Sequence, residues 1–503
     1  MEQNLSINQI QNFKGKYPKQ LWALFFSEMW ERFSFYGMRG MLYVFMTSEL
    51  LMKDTEANLQ YGATQAWVYA FTFIGGLFAD KIFGFRKSLF WGGLLMIVGS
   101  VILAIDPKNF FFIGVSFTIV GTGFFKPNIS SMVGKLYKDD DNRRDAGFSL
   151  FYAGVNLGAL IGGYICIAVA NGNLWTSFVP TNLRWNYAFG FASIVMVISL
   201  LTFVQTQKSL GDIGLSPLLH LEKNKRKIFE ISTYIGSILI IPIIIVMVSN
   251  TVYTDYFMYL IGPISILYLI YEMKNFSSSQ NKKLVAAVIF MLFSVIFWAF
   301  FEQSGGSLSA FSTSNLNNAI FGVKLDPNGV NNSANSLFVI AFAALLGLVW
   351  LWMNKRKIEP NTIVKFGLAF LFLSGGFYVF YYTKFFADVS GKTSLGLFSF
   401  GWFVITFGEL CLSPIGMSAM TKLSPQKLQA VMMGMWFLAS AYGQYFAGLL
   451  GANIAEASKN ASNLQKLIVY SNGYKQLAIY AFVAGVVLIV ISPFVKKLMQ
   501  EVK

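Results

Sequence analysis

Hydrophobic and polar positions along this chain fall into long blocks rather than short periods. Apolar runs of about 18 or more residues, enough to cross the hydrocarbon core of a bilayer, recur from one end to the other between short polar connections. The blocks predict spans near 21–50, 58–83, 88–106, 110–136, 145–171, 184–205, 228–250, 254–273, 284–312, 335–353, 362–385, 394–424, 428–456 and 474–499. This pattern defines an all-α polytopic membrane protein with 14 transmembrane helices.

The connections carry a second pattern. Every other one is basic, as at Lys81, Arg86 and Lys87, at Arg143 and Arg144, at Lys223 to Lys227, and at Lys355 to Lys357, whereas those between are mixed, as at Lys53, Asp54 and Glu56. Positive charge stays on the cytoplasmic side, so both termini are expected inside a cell (inner) membrane. Composition agrees: of 503 residues 55% are hydrophobic and 13% charged, roughly half the charged share of a soluble domain. The net charge of +15 is explained by this topology and calls for no nucleic acid. The N-terminal residues lack the pattern of a cleaved signal peptide, so the first span is expected to be retained. Cys166 and Cys411 lie in apolar runs of opposite halves and read as packing residues.

One span departs from the apolar rule. In SEMWERFSFYGMRGMLYVF, Ser27 to Phe45, the residues Glu28, Arg32, Tyr36, Arg39 and Tyr43 fall within an arc of about 80° on a helix, with Glu31 about 60° to one side. Snorkelling at a helix end could serve Glu28 but not a stripe three turns deep. Each charge near mid-membrane costs roughly 2.5–3.5 kcal/mol on insertion scales, so such groups face a bundle interior or an aqueous cavity. Lys126, Glu302 and Glu409 are further charges inside spans. Together the set holds the cations Arg32, Arg39 and Lys126 against the carboxylates Glu28, Glu31, Glu302 and Glu409. One carboxylate is left over, and a proton neutralises it most cheaply because desolvation favours the neutral acid. Pro127, Pro414, and Gly305 with Gly306 adjoin the charged sites and mark possible helix breaks. Gly154, Gly158 and Gly162 form a stripe suited to close helix contact.

These residues carry a family resemblance. EMWERFSFYG, Glu28 to Gly37, resembles the Glu-x-x-Glu-Arg-Phe opening motif of the proton-coupled oligopeptide transporters, a branch of the major facilitator superfamily. GGLFADKIFGFRK, Gly75 to Lys87, resembles the superfamily's loop motif after the second span. FYAGVNLG, Phe151 to Gly158, and FWAFFEQSGGSL resemble the branch's fifth-span and seventh-span signatures. The resemblance implies the major facilitator superfamily fold: two six-helix bundles, residues 1–206 and 284–503, joined by a linker and two extra helices in 207–283.

It also implies roles. Glu28, Glu31, Arg32 and Glu302 would couple protons to transport; Arg32 and Lys126 would face the carboxylate of a peptide, and Asn156, Asn335 and Glu409 its amino end. Tyr36, Tyr69, Trp298 and Trp436 would line side-chain pockets, and Arg39 with Glu302 would form a gate. A zwitterion suits a site with cations on one side and a carboxylate on the other, and Trp and Tyr offer contact area without demanding one side chain. Two positions depart from the family pattern: Phe35 stands where many relatives have tyrosine, and Ser336 rather than proline follows Asn335. The expected activity is proton-coupled import of di- and tripeptides by alternating access, with no cofactor or metal and a monomer as the functional unit. A related facilitator carrying nitrate or a drug-like amine is the alternative. A channel would more naturally show rings of like charge, and an enzyme would need a nucleophile with a base or a metal cluster, which His220 and two distant cysteines do not suggest.

Overall fold

A computed structural model describes residues 5–138, 140–456 and 461–500. After a short helix α1 (Ile7–Gln11) come α2 (Lys19–Ser48), α3 (Asp54–Phe78), α4 (Gly84–Ile105), α5 (Phe111–Lys135), α6 (Arg144–Ala170) and α7 (Arg184–Thr206). The next helices are α8 (Lys223–Leu239), α9 (Ile241–Ser249), α10 (Thr251–Glu272), α11 (Ser278–Phe301) and α12 (Ser307–Asn315). The chain ends with α13 (Pro327–Lys355), α14 (Thr362–Tyr382), α15 (Leu395–Leu423), α16 (Gln429–Glu456) and α17 (Asn463–Met499). Two-residue strands β1 (Ala319–Ile320) and β2 (Val323–Lys324) form a small antiparallel hairpin before α13.

Burial is inverted relative to a water-soluble protein: Glu31 is 0% exposed while Val490 is 70% exposed. Ionisable groups inside and aliphatic groups outside minimise free energy only when the surroundings are apolar. Among the described residues, ten helical stretches are long and apolar enough to cross a membrane, and the protein is a multi-pass helical membrane protein.

The chain divides into two compact units, Met1–Met41 with Trp67–Asn250, and Leu42–Ala66 with Thr251–Lys503. In the first unit, glycines let helices touch backbone to backbone. A Cβ at Gly158 of α6 would lie 2.0 Å from the Met29 carbonyl oxygen of α2, and one at Gly162 would lie 2.1 Å from that of Phe33. The glycine stripe thus seats α2, and Gly37 meets Cys166, a buried packing residue as expected. Of the inserted helices, α8 docks in this unit: Tyr234 stacks on Phe83 at 4.6 Å, Trp91 Nε1 donates to Ser237 Oγ at 2.9 Å, and Lys87 pairs with Glu230 at 2.7 Å.

The N-terminal segment is held against the loop after α5. Gln11 Nε2 donates to the carbonyls of Lys135 and Tyr137, and the Arg143 guanidinium lies 3.9 Å from the centre of the Phe13 ring. Arg143 also pairs with Asp141 at 2.7 Å, and its hydrogen bonds hold that carboxyl down at about 2. A depressed carboxyl contributes above its ordinary range and is lost only as pH falls toward the lowered value, so this latch keeps its charge throughout the physiological range.

In the second unit α10 docks on α16, where Tyr445 donates to Asp255 Oδ1 at 2.7 Å and the Tyr442 hydroxyl donates to the Met258 carbonyl. Gly62 of α3 meets Gly448 of α16, each Cβ position within 2.8 Å of the other's Cα.

Four expectations change. The loop expected at Gly75 to Lys87 is a π-helical turn, Ala79–Phe83, running from α3 into α4, with Gly84 at φ 72° and ψ 164°. A Cβ at Gly84 would sit 2.3 Å from the Leu215 carbonyl, which leaves room only for glycine. The span expected from 335 begins at Pro327, because Asp326 caps α13 through the Gly329 N–H at 2.6 Å. The last helix starts at Asn463 rather than 474, behind a capping box of Ser462 and Gln465. The break expected at Pro127 is absent, and α5 runs through it; the Gly123 carbonyl, which proline leaves without its usual donor, lies against Gly75. At Gly305 and Gly306 the chain does break: α11 gives way to a 3₁₀ turn, Glu302–Gly305, before α12. The break expected at Pro414 concerns a side chain outside the described residues, although α15 spans the position.

Candidate functional site

The charged stripe of α2 is buried and internally paired. Glu28, Glu31 and Arg32 are each at most 3% exposed. Arg32 Nε donates to Glu28 Oε1 at 2.7 Å, and Glu31 Oε2 stands 2.9 Å from the same nitrogen. That nitrogen has a single hydrogen, so within ion-pair distance Glu31 receives no hydrogen bond from it, and among the described residues Glu28 Oε2 and both Glu31 oxygens have no hydrogen-bond partner. Two carboxylates therefore share one guanidinium. The stripe holds its orientation because the glycines of α6 press on α2 beside it, through Met29, Phe33 and the Cβ of Arg32.

Further along α2 the Arg39 guanidinium approaches the Tyr36 ring at 5.6 Å, and Arg32 approaches Phe35 at 5.8 Å. Lys126 of α5 lies 4.2 Å from the centre of the Tyr69 ring of α3, which brings an expected carboxylate reader and an expected pocket residue together. Asn156 of α6 is buried, with its amide donating to Tyr152 O at 2.9 Å.

In the second unit, Asn335 Nδ2 donates to Glu409 Oε2 at 2.7 Å and approaches Thr406 Oγ1 at 3.2 Å. Two of the three residues expected to face a peptide's amino end are therefore in direct contact between α13 and α15. Trp436 of α16 lies over Gly416, where a Cβ would come within 2.2 Å of the indole, and Trp298 of α11 packs beside Gly443. Glu302 is 3% exposed at the end of α11. Arg39 belongs to the first unit and Glu302 to the second.

The broken turn after Glu302 shows what sequence reading missed. Gln303 Nε2 donates to the carbonyls of Ala299 and Ala447, each at 3.0 Å, and its Oε1 accepts from Ser307 Oγ at 2.7 Å. Asn331 Nδ2 donates to Ser304 O at 2.7 Å, and Tyr474 donates to Ser307 O at 3.0 Å. A Cβ at Gly305 would overlap the Tyr61 ring. Interrupted helices survive in a membrane only where other groups satisfy the backbone, and α13, α16 and α17 supply those groups here. The signal was present: Asn328, Asn331, Asn332 and Asn335 recur at helical spacing.

Among the described residues no group of histidine, cysteine, aspartate and glutamate could hold a metal. A multi-pass bundle with ionisable groups gathered inside and a broken helix beside one of them is built as a solute carrier. The sequence profile of the POT family matches residues 86–467, and the chain belongs to that family, whose members are transporters rather than enzymes. Uncharacterized transporter YclF of Bacillus subtilis (strain 168) is 33% identical over 97% of this chain and 96% of its own length. The di-/tripeptide transporter of Lactococcus lactis subsp. cremoris is 31% identical, with 97% of each chain covered. Peptide transporter POT in complex with sulfate superposes with a TM-score of 0.81 at 30% identity, covering 99% of this chain and 100% of that one. A POT family transporter in complex with 5-aminolevulinic acid gives 0.81 at 27% identity, with 98% and 100% covered.

Proposed function

We propose that this protein imports di- and tripeptides together with protons by alternating access across a cell membrane, as a monomer with both termini cytoplasmic. Fourteen spans follow if Lys19–Ser48, Phe111–Lys135 and Gln429–Glu456 also cross and Asp54–Ile105 crosses twice; charges and glycines dilute the hydropathy of the first two. Family membership and the names of the relatives support the substrate class.

The observation that carries the coupling mechanism is the single Arg32 N–H set between Glu28 and Glu31. A peptide carboxylate arriving at Arg32 and Lys126 competes with the carboxylates already there for one positive charge. Protonating Glu28 or Glu31 removes one competitor and eases binding; by linkage, bound peptide then favours the protonated state. Asn156, Asn335 and Glu409 take the amino end, and Tyr36, Tyr69, Trp298 and Trp436 accommodate varied side chains. The gate role of Arg39 with Glu302, and the share of Glu302 in proton transfer, belong to the same proposal.

The test uses purified protein in liposomes with labelled dialanine. An imposed pH gradient, acidic on the side of entry, should drive accumulation. Glu31→Gln imitates permanent protonation and should keep peptide-for-peptide exchange while losing gradient-driven accumulation. Accumulation at the parent rate in Glu31→Gln would place the coupling proton elsewhere.

A further inference from the structure

The brace on the broken turn does not end at Asn331. Its Nδ2 donates to Ser304 O, two residues beyond Glu302, and its Oδ1 accepts from Trp402 Nε1 at 3.2 Å. The carbonyl of Trp402 accepts from Thr406 Oγ1 at 2.8 Å, and Thr406 Oγ1 meets Asn335 Nδ2 at 3.2 Å. Asn335 in turn donates to Glu409 at 2.7 Å. Each link lies within hydrogen-bonding distance, and Asn331, Trp402 and Thr406 are at most 1% exposed, so water cannot readily replace a lost partner. Trp402 reaches the turn a second way, by packing edge-on to Phe301, the residue before Glu302, with ring centres 5.8 Å apart.

We propose that Asn331 is a positioning residue that, with Trp402, ties the broken turn carrying Glu302 to the Asn335–Glu409 pair. Capture of a peptide amino group at Glu409 then pulls on Asn335, and the pull reaches the turn through groups shut away from water. The inference rests on the proposed roles of Glu409 and Glu302. It adds that amino-end capture and the state of the broken turn are one event rather than two. Asn331 touches neither the peptide nor the proton in this scheme.

Trp402→Phe keeps a ring of similar placement and deletes the donor, and Asn331→Leu deletes the links to Ser304 and Trp402, together with the longer ones to Ser309 and Asn328, at similar volume. Each is measured as full-length protein in liposomes, for dialanine exchange and for pH-driven accumulation, with thermal melting as a folding control. Each single change should lower accumulation about tenfold while exchange falls less than threefold. The double variant should be no worse than the poorer single one, because a chain cut twice is still one cut. Losses that multiply in the double variant, or that fall equally on exchange and accumulation, would overturn the proposal. Affinity for dialanine compared across Asn331→Leu, Asn335→Ala and their double variant tests the tie without reference to Glu302, and additive effects there would overturn it too. Parent-like accumulation in Glu302→Gln would remove the underlying role of Glu302, an outcome that the affinity cycle does not depend on.

Discussion

Asn335 is a partner of Glu409 that any peptide must contend with. Asn335 already donates to it at 2.7 Å, so an incoming ammonium gains a charge-assisted bond at a carboxylate that is oriented in advance. Glu409→Ala and Lys126→Ala should each weaken dialanine binding by roughly 2–5 kcal/mol, the cost of leaving a partly desolvated charge alone. The N-acetylated dipeptide separates the two ends: it should bind the parent poorly and lose little more in Glu409→Ala, yet lose further in Lys126→Ala. Equal further losses in both variants, read by competition binding, would assign Glu409 a structural part only. Much at this scale was legible in sequence, because a charge inside an apolar run is expensive and therefore conspicuous. Asn331 was not, because asparagine is common in loops and the run Asn328–Asn335 reads as one until Asp326 is known to cap a helix.

At the scale of elements, the decisive contact is between two helices rather than two side chains. The face of α6 made by Gly158 and Gly162 lies so close to α2 that a methyl group has no room. Gly158→Ala must push α2 away by tenths of an ångström or more, at roughly 1–3 kcal/mol, and because Arg32 is seated beside Gly158 the shift reaches the stripe. The expected result is a lower melting temperature together with a larger loss of uptake than the same substitution causes at Gly236, where a Cβ meets nothing within 4 Å. The stripe was visible as a four-residue repeat. Its partner helix was not, since spacing names a face without naming what covers it. The same gap explains the π-helical turn at Ala79–Phe83: the motif predicted a connection, but the way Gly84 is closed in by Leu215 depends on a segment more than a hundred residues later.

For the whole molecule, alternation of basic connections gives an orientation that chemistry can check. Cysteines at Lys138 and at Phe321, the latter fully exposed on the small hairpin before α13, should be labelled from opposite sides of the membrane, Lys138 from the cytoplasm. Labelling of both from one side would contradict the proposed topology. The multi-pass helical character was readable from sequence because a bilayer imposes length and apolar composition on every span. The division into units was not. Its boundary falls after Asn250, so α9 and α10, adjacent in sequence, belong to different units.

The membership of Leu42–Ala66 in the second unit has a consequence for how the molecule is made. Gly62 finds its contact at Gly448 and Tyr61 at Gly305, residues that leave the ribosome long after the first hairpin has entered the membrane. Chains emerge from the N-terminus and long-range contacts form last. The end of α2 and the start of α3 must therefore wait, with glycine faces unmatched, through the synthesis of most of the protein. Biogenesis thus closes its longest loop near the end, and a chain stopped after Asn250 would hold a nearly complete first unit beside an orphaned hairpin tip.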